Sequence, residues 1–189
     1  MKPKSTPQAV RKQVLAAAKK AWNQSVSTKV FPDTFIVAFR GYYSETFAPS
    51  GNNRSVYDDA IFVVSPHVFA GFNANTDPSQ YKKGIASLLP GCHPYRLGNH
   101  GISRPGGGYP ALRPATRGEA LPVSRDGESG RSSRDGVAIN IHKGGLNTTS
   151  SEGCQTIHPS QWEAFYTLTK GEMKRGGISQ IWYILVDGF

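Results

Sequence analysis

The 189-residue sequence predicts a mainly β domain of the α+β class, and three observations carry that prediction. Apolar residues alternate in short runs, as in Thr34 to Arg40, where Phe35, Val37 and Phe39 fall on one side of a strand. Glycine and proline are numerous (21 and 13), which favours strands, turns and long loops over a helix bundle. Helical spacing is confined to one stretch near each end.

Each element follows in chain order. Thr6-Pro7 reads as an N-cap with proline at the first helical position. Val10, Val14, Leu15, Ala18 and Trp22 then share a face, with Arg11, Lys12, Lys19 and Lys20 on the remainder. This is a surface helix docked on the domain; a basic helix touching an anionic surface is the alternative. Residues 1–28 form this N-terminal unit and residues 29–189 the main domain. Thr34 to Arg40 and Ala60 to Val64 are strands, and Val68 to Phe72 continues the second after a kink at Pro66. Pro49 to Arg54 is a turn-rich connection. From about Pro90 to Gly136, Gly, Pro, Ser and Arg dominate, with arginines at 96, 104, 113, 117, 125, 131 and 134. A loop of that length is functional or disordered. Short strands interrupt it near Tyr109 to Leu112 and Ala120 to Ser124, and Asp126 to Asp135 reads as a hairpin tip. Val137 to Ile141 is a strand ending at His142. After a Gly- and Ser-rich loop, Pro159 sits near the start of a helix over Ser160 to Lys174, closed by Gly176-Gly177. Trp162, Phe165, Tyr166 and Met173 supply its buried face. Ile178 to Val186 is the last strand.

Composition bounds the function. Hydrophobic and charged shares of 38% and 19% suit a soluble globular protein. The formal charge of +9 attracts a polyanion: nucleic acid, an anionic membrane or an acidic cell wall. A nucleic-acid binder would gather its basic residues on one face with stacking aromatics. Here they are spread between the N-terminal stretch and the long loop, so no nucleic-acid partner is expected. Two cysteines, Cys92 and Cys154, make no disulfide framework. The apolar run Val14 to Ala18 is too short for a secretory core of roughly 7–15 residues, and no run approaches the roughly 20 residues of a membrane span. A monomer made without an export signal or transmembrane segment is expected.

The chemistry is concentrated in Ile141-His142-Lys143-Gly144-Gly145 and Ser150-Ser151-Glu152-Gly153-Cys154-Gln155. A histidine ending a strand is held by the sheet yet open to a cleft. A cysteine after a small-residue loop presents its sulfur and neighbouring N–H groups together. Acyl transfer needs this pairing: a thiolate nucleophile, an imidazole to move its proton, and backbone donors near Gly153 and Cys154 for an oxyanion. Glycine at 153 also lets the backbone approach the reacting carbonyl.

The pattern His-x-Gly, a glycine-rich loop, then Ser-x-Gly-Cys resembles the L,D-transpeptidase catalytic domain. Asn140 to Gly145 together with Ser151 to Gln155 is similar in particular to its phage-borne and effector-type members. The resemblance covers about Gly136 to Met173 and extends more weakly to Leu97 to Gly101 and Tyr109 to Arg113. It implies a β-sandwich or open barrel with a cleft over the cysteine and a helix after it. It implies Cys154 as nucleophile, His142 as general base and Lys143 as the group orienting that histidine through its backbone. Ser151 matches the family's Ser/Thr. The sequence departs from the family at Glu152, where a histidine is usual, and at Thr156, where Arg or Asn is usual. His100, in a Gly-rich loop, and Arg113, a carboxylate binder, are expected along the substrate cleft with Gly144 and Gly145.

The implied substrate is the stem peptide of peptidoglycan, reached in the periplasm by holin- or secretion-dependent release. Hydrolysis is the expected outcome, with transpeptidation or D-amino-acid exchange as the enzymatic alternative and a basic nucleic-acid-binding protein as the non-enzymatic one. No cofactor or metal is expected: Cys92, His93, His100 and His158 have no standard zinc-ligand spacing.

Overall fold

The amphipathic run near the N-terminus folds as helix α1 (Arg11–Ser25) with Val14, Ala18 and Trp22 buried. It starts four residues later than Thr6-Pro7 predicts. The amides of Gln8 and Ala9 donate to the Tyr42 hydroxyl at 3.0 and 2.8 Å, and Pro7 packs beside Gly71, so the segment stays extended. The Gln13 side chain instead accepts from Val10 N–H at 3.1 Å. The computed structural model describes residues 2–26, 29–43, 53–103, 105–128 and 133–189, without the side chains of 133 and 134. Most of the Pro49 to Arg54 connection and the side chains of Arg104, Arg131 and Arg134 lie outside the described residues.

The strands are β1 (Phe35–Arg40), β2 (Asp59–Val64), β3 (Phe69–Asn75), β4 (Ala86–Leu88), β5 (Gly91–His100), β6 (Tyr109–Pro114), β7 (Ala120–Arg125), β8 (Ser133–Val137), β9 (Ile141–Lys143), β10 (Gln155–Ile157) and β11 (Ile181–Asp187). Helix α2 (Trp162–Arg175) precedes the last strand. The mainly β expectation holds. A barrel closes in the order β1-β11-β5-β6-β9-β10-β3-β2, and β4-β7-β8 form a small separate sheet. The sheet is thus a closed barrel, not a sandwich or an open one, because β10 joins β9 to β3 and β2 returns to β1.

Alternation on β1 builds two cores. Ile36 and Ala38 point into the barrel, in a cluster that takes residues from all eight barrel strands, the small sheet and α2. Phe35, Val37 and Phe39 point outward into a second cluster with Val14, Ala18 and Trp22 of α1, and Trp22 stands edge-on to Trp182 at 5.0 Å. Both faces of β1 are therefore dry. No helix among the described residues is long and apolar enough to cross a membrane.

Three local predictions are corrected. Val68 to Phe72 does not continue the second strand. Ser65 Oγ accepts from His67 N and Val68 N at 3.1 and 3.0 Å, turning the chain so that β3 pairs antiparallel with β2. Val137 to Ile141 is not one strand: Ala138 has φ 56°, ending β8 in the small sheet and passing the chain to β9 in the barrel. The stretch from Pro90 to Gly136 is no long loop. It holds β5 to β8 (part of it, residues 104 and 129–132, lying outside the described residues).

Candidate active site

The parallel pairing of β9 with β10 sets Thr156 opposite His142. Just before it, Gln155 N–H donates to Asn140 O at 2.8 Å, drawing Cys154 against residues 138–140. The Cys154 thiol accepts from Asn140 N–H at 3.4 Å and donates to Ala138 O at 3.6 Å. The loop leading to it is anchored by Ser79, whose Oγ accepts from Ser151 N–H at 2.7 Å and whose N–H donates to Ser151 O at 2.7 Å. Ser151 Oγ in turn donates to Cys154 O at 2.6 Å and accepts from Gly153 N–H at 3.0 Å. Gly153 has φ +129°, and a Cβ there would stand 2.5 Å from Ala86 O, so only glycine lets the loop pass.

His142 is buried, and its Nδ1 lies 2.8 Å from Lys143 O and 3.0 Å from the Tyr109 hydroxyl. A proton on Nδ1 satisfies the carbonyl and fixes the tautomer whose Nε2 is basic. Tyr109 stands directly opposite His100 in the β5–β6 ladder. That pairing brings the His100 ring onto His142, centroids 4.0 Å apart and planes 21° from parallel. His100 Nδ1 lies 3.0 Å from the Asn140 amide. One ring nitrogen from each histidine and the Cys154 sulfur all lie within 4.8 Å of one another. Four consecutive barrel strands, β5, β6, β9 and β10, thus deliver His100, Tyr109, His142 and Cys154 to one place.

Burial pushes the Cys154 thiol up to about 11. The Asn140 N–H and the charge of Arg113 offset part of that rise, and Glu152 adds to it. The sulfur is therefore a neutral thiol at rest, and a base must take its proton as it attacks.

The other expected site residues are distributed as follows. Lys143 contributes its carbonyl to His142, while its ammonium lies 5.9 Å from the Tyr109 ring centre. Arg113 is not open to a substrate carboxylate. Its guanidinium pairs bidentately with Glu119 and donates to Asn99 O at 2.8 Å. Gly144 and Gly145 are explained by packing: a Cβ would fall 2.1 Å from the Tyr57 hydroxyl or 2.4 Å from Ser150 Oγ. Glu152 is exposed and borders a groove of about 470 Å³ with Lys82, Lys83, Arg125 and Ile139. A second groove, of about 550 Å³, lies on the His142 side, lined by Tyr109, Lys143, Trp162 and Tyr166. Of the backbone donors expected for an oxyanion, Gly153 N–H is committed to Ser151. Cys92 and His158 stand apart: Cys92 sits beside α1, and the His158 ring packs on Tyr57.

Sequence reasoning missed Tyr109 and Asn140 as members of the site. Asn140 carried a signal, standing two residues before His142 in the motif. Tyr109 stood only in the weaker part of the resemblance, because its place beside His142 depends on strand register. The chain matches no family model, no curated protein and no solved structure.

Proposed function

We propose that the protein is a cysteine-nucleophile peptidase of bacterial peptidoglycan, hydrolysing stem-peptide or cross-link bonds through a thioester on Cys154. One observation carries this reading: the Cys154 sulfur and a His142 ring nitrogen lie within 4.8 Å of one another beside the β9–β10 pairing, with His142 oriented from behind by the Lys143 carbonyl. The motif's resemblance to L,D-transpeptidases supplies the substrate class. That resemblance implies a bond between the L-centre of a diamino acid and a following D-residue.

In the reaction, His142 takes the thiol proton as sulfur bonds to the peptide carbonyl carbon. The Cys154 N–H is the backbone donor beside the sulfur that can meet the oxyanion. The C–N bond breaks as His142 returns the proton to the leaving amine. Water, deprotonated by His142, then cleaves the thioester and restores the thiol.

Incubation of wild type and Cys154→Ala with purified Gram-negative sacculi, read by mass spectrometry of released muropeptides, tests this. Shortened or uncrosslinked stems are expected from wild type alone. Equal release by Cys154→Ala would overturn the proposal. With a free D-amino acid present, exchanged stems in place of cleaved ones would indicate transpeptidation.

A further inference from the structure

Cys154, His142 and His100 offer one thiol and two imidazoles whose ligand atoms lie within 4.8 Å of one another. His142 and Cys154 share one motif, but His100 lies well before it, and the three match no standard zinc-ligand spacing. Each histidine is oriented by a bond to its Nδ1. Lys143 O holds His142 at 2.8 Å, and the Asn140 amide holds His100 at 3.0 Å. A metal-bound histidine characteristically donates its other ring N–H to an acceptor such as a backbone carbonyl, the place Lys143 O takes behind His142. The Asn140 amide can turn either its nitrogen or its oxygen to His100, so that ring can carry its proton on either side. Asn140 Oδ1 is buried without a hydrogen-bond partner, and turning the amide lets it accept from His100 Nδ1–H, which frees Nε2 for a metal.

We propose that Cys154, His142 and His100 form a three-ligand site for a zinc-class divalent cation, and that the ion switches the nucleophile off. A thiolate with two imidazoles selects Zn²⁺ and its borderline-soft neighbours over Mg²⁺ or Ca²⁺. Three protein ligands leave a fourth position for water. The His100–His142 stack opens by rotation of His100, which sits half-exposed near the end of β5. Binding exchanges the thiol proton for the metal: one proton leaves to solvent, sulfur becomes a thiolate ligand, and no electron moves. Nucleophile and base are then both occupied. The site stands on its geometry; only the inhibitory consequence rests on the proposed function.

Cobalt(II) is the probe, titrated into the full chain without oxygen and with a thiol-free reductant. A sulfur-to-cobalt charge-transfer band at one equivalent is expected, displaced by Zn²⁺. It is lost in Cys154→Ser and retained in Cys92→Ser. Affinity in His100→Ala falls at least about tenfold, since even residues behind a ligand cost 10–100-fold. If that variant does not fold, His100→Gln gives the same reading. No band, a band surviving Cys154→Ser or lost in Cys92→Ser, or unchanged affinity without His100 would overturn the site. Muropeptide release by metal-free protein is scored separately. A cobalt band on a protein inert toward sacculi defeats the peptidase reading alone, and an active protein without a band defeats the metal site alone.

Discussion

Cys154, the proposed nucleophile, is a thiol kept protonated by its surroundings. Its sulfur sits between the Asn140 N–H and the Ala138 carbonyl, and burial holds its thiol up at about 11. Alkylation in a Cys92→Ser background should therefore keep accelerating well above the pH at which a free thiol, with its ordinary value of about 8.5, has saturated. Iodoacetamide kinetics across pH check this; saturation near that ordinary value would contradict it. The same shift has a sign for stability. The folded value lies above the unfolded one, so the contribution is fully present below about 9. It fades as pH rises toward 11 and the unfolded chain ionises first. At this scale the pair Cys154 and His142 was legible, because both stand in a short motif with small residues around the sulfur. His100 was legible only as a histidine in a glycine-rich stretch. Its stacking on His142 follows from the His100–Tyr109 register, which no local pattern encodes. Arg113 was misread because its partner, Glu119, reaches it around the turn that follows β6.

At the scale of elements, the two helices do different work. Helix α1 packs on the outer face of the barrel over β11 and β5 and closes the outer cluster that β1 and β2 share, and Trp22 is its main anchor, 1% exposed and packed edge-on to Phe31 and Trp182. Trp22→Ala should cost about 3–5 kcal/mol by chemical denaturation, as large aromatic deletions in cores do. A loss under about 1 kcal/mol would mean that α1 is an appendage and not part of the fold. Helix α2 lays Trp162, Phe165 and Met173 on the barrel core. It is also tied to the β2–β3 turn through Ser65, which donates to the buried Glu172 at 2.6 Å. Both helices and the long apolar strands were legible, since their periods run over enough residues. Strand β5 was not: Gly91-Cys-His-Pro-Tyr-Arg-Leu-Gly-Asn-His100 lacks clean alternation and contains Pro94. Strands β4, β9 and β10, of three residues each, are too short to carry a period. The break at Ala138 hid inside an apolar run because a positive φ at alanine leaves no mark on composition.

For the whole molecule, barrel closure and charge matter most. Closing the barrel brings chain segments more than 50 residues apart, from β5 to β10, into one site, so site geometry and global folding are coupled. The net charge of +9 predicts that retention on anionic sacculi weakens steeply with salt. Co-sedimentation with sacculi across a sodium chloride series reads this directly. Retention that ignores salt would assign binding to the grooves bordered by Glu152 and Lys143 and not to the field of the molecule.

The proposed chemistry is covalent, and the mass of the protein caught during turnover reads it directly. Wild type and Cys154→Ala are mixed briefly with soluble muropeptides, quenched in acid and analysed intact, then as proteolytic fragments. An acyl adduct is expected on the fragment containing Cys154, equal to the substrate less its leaving amine and absent from the variant. Continued muropeptide cleavage by Cys154→Ala, with no adduct on the wild type, would contradict it.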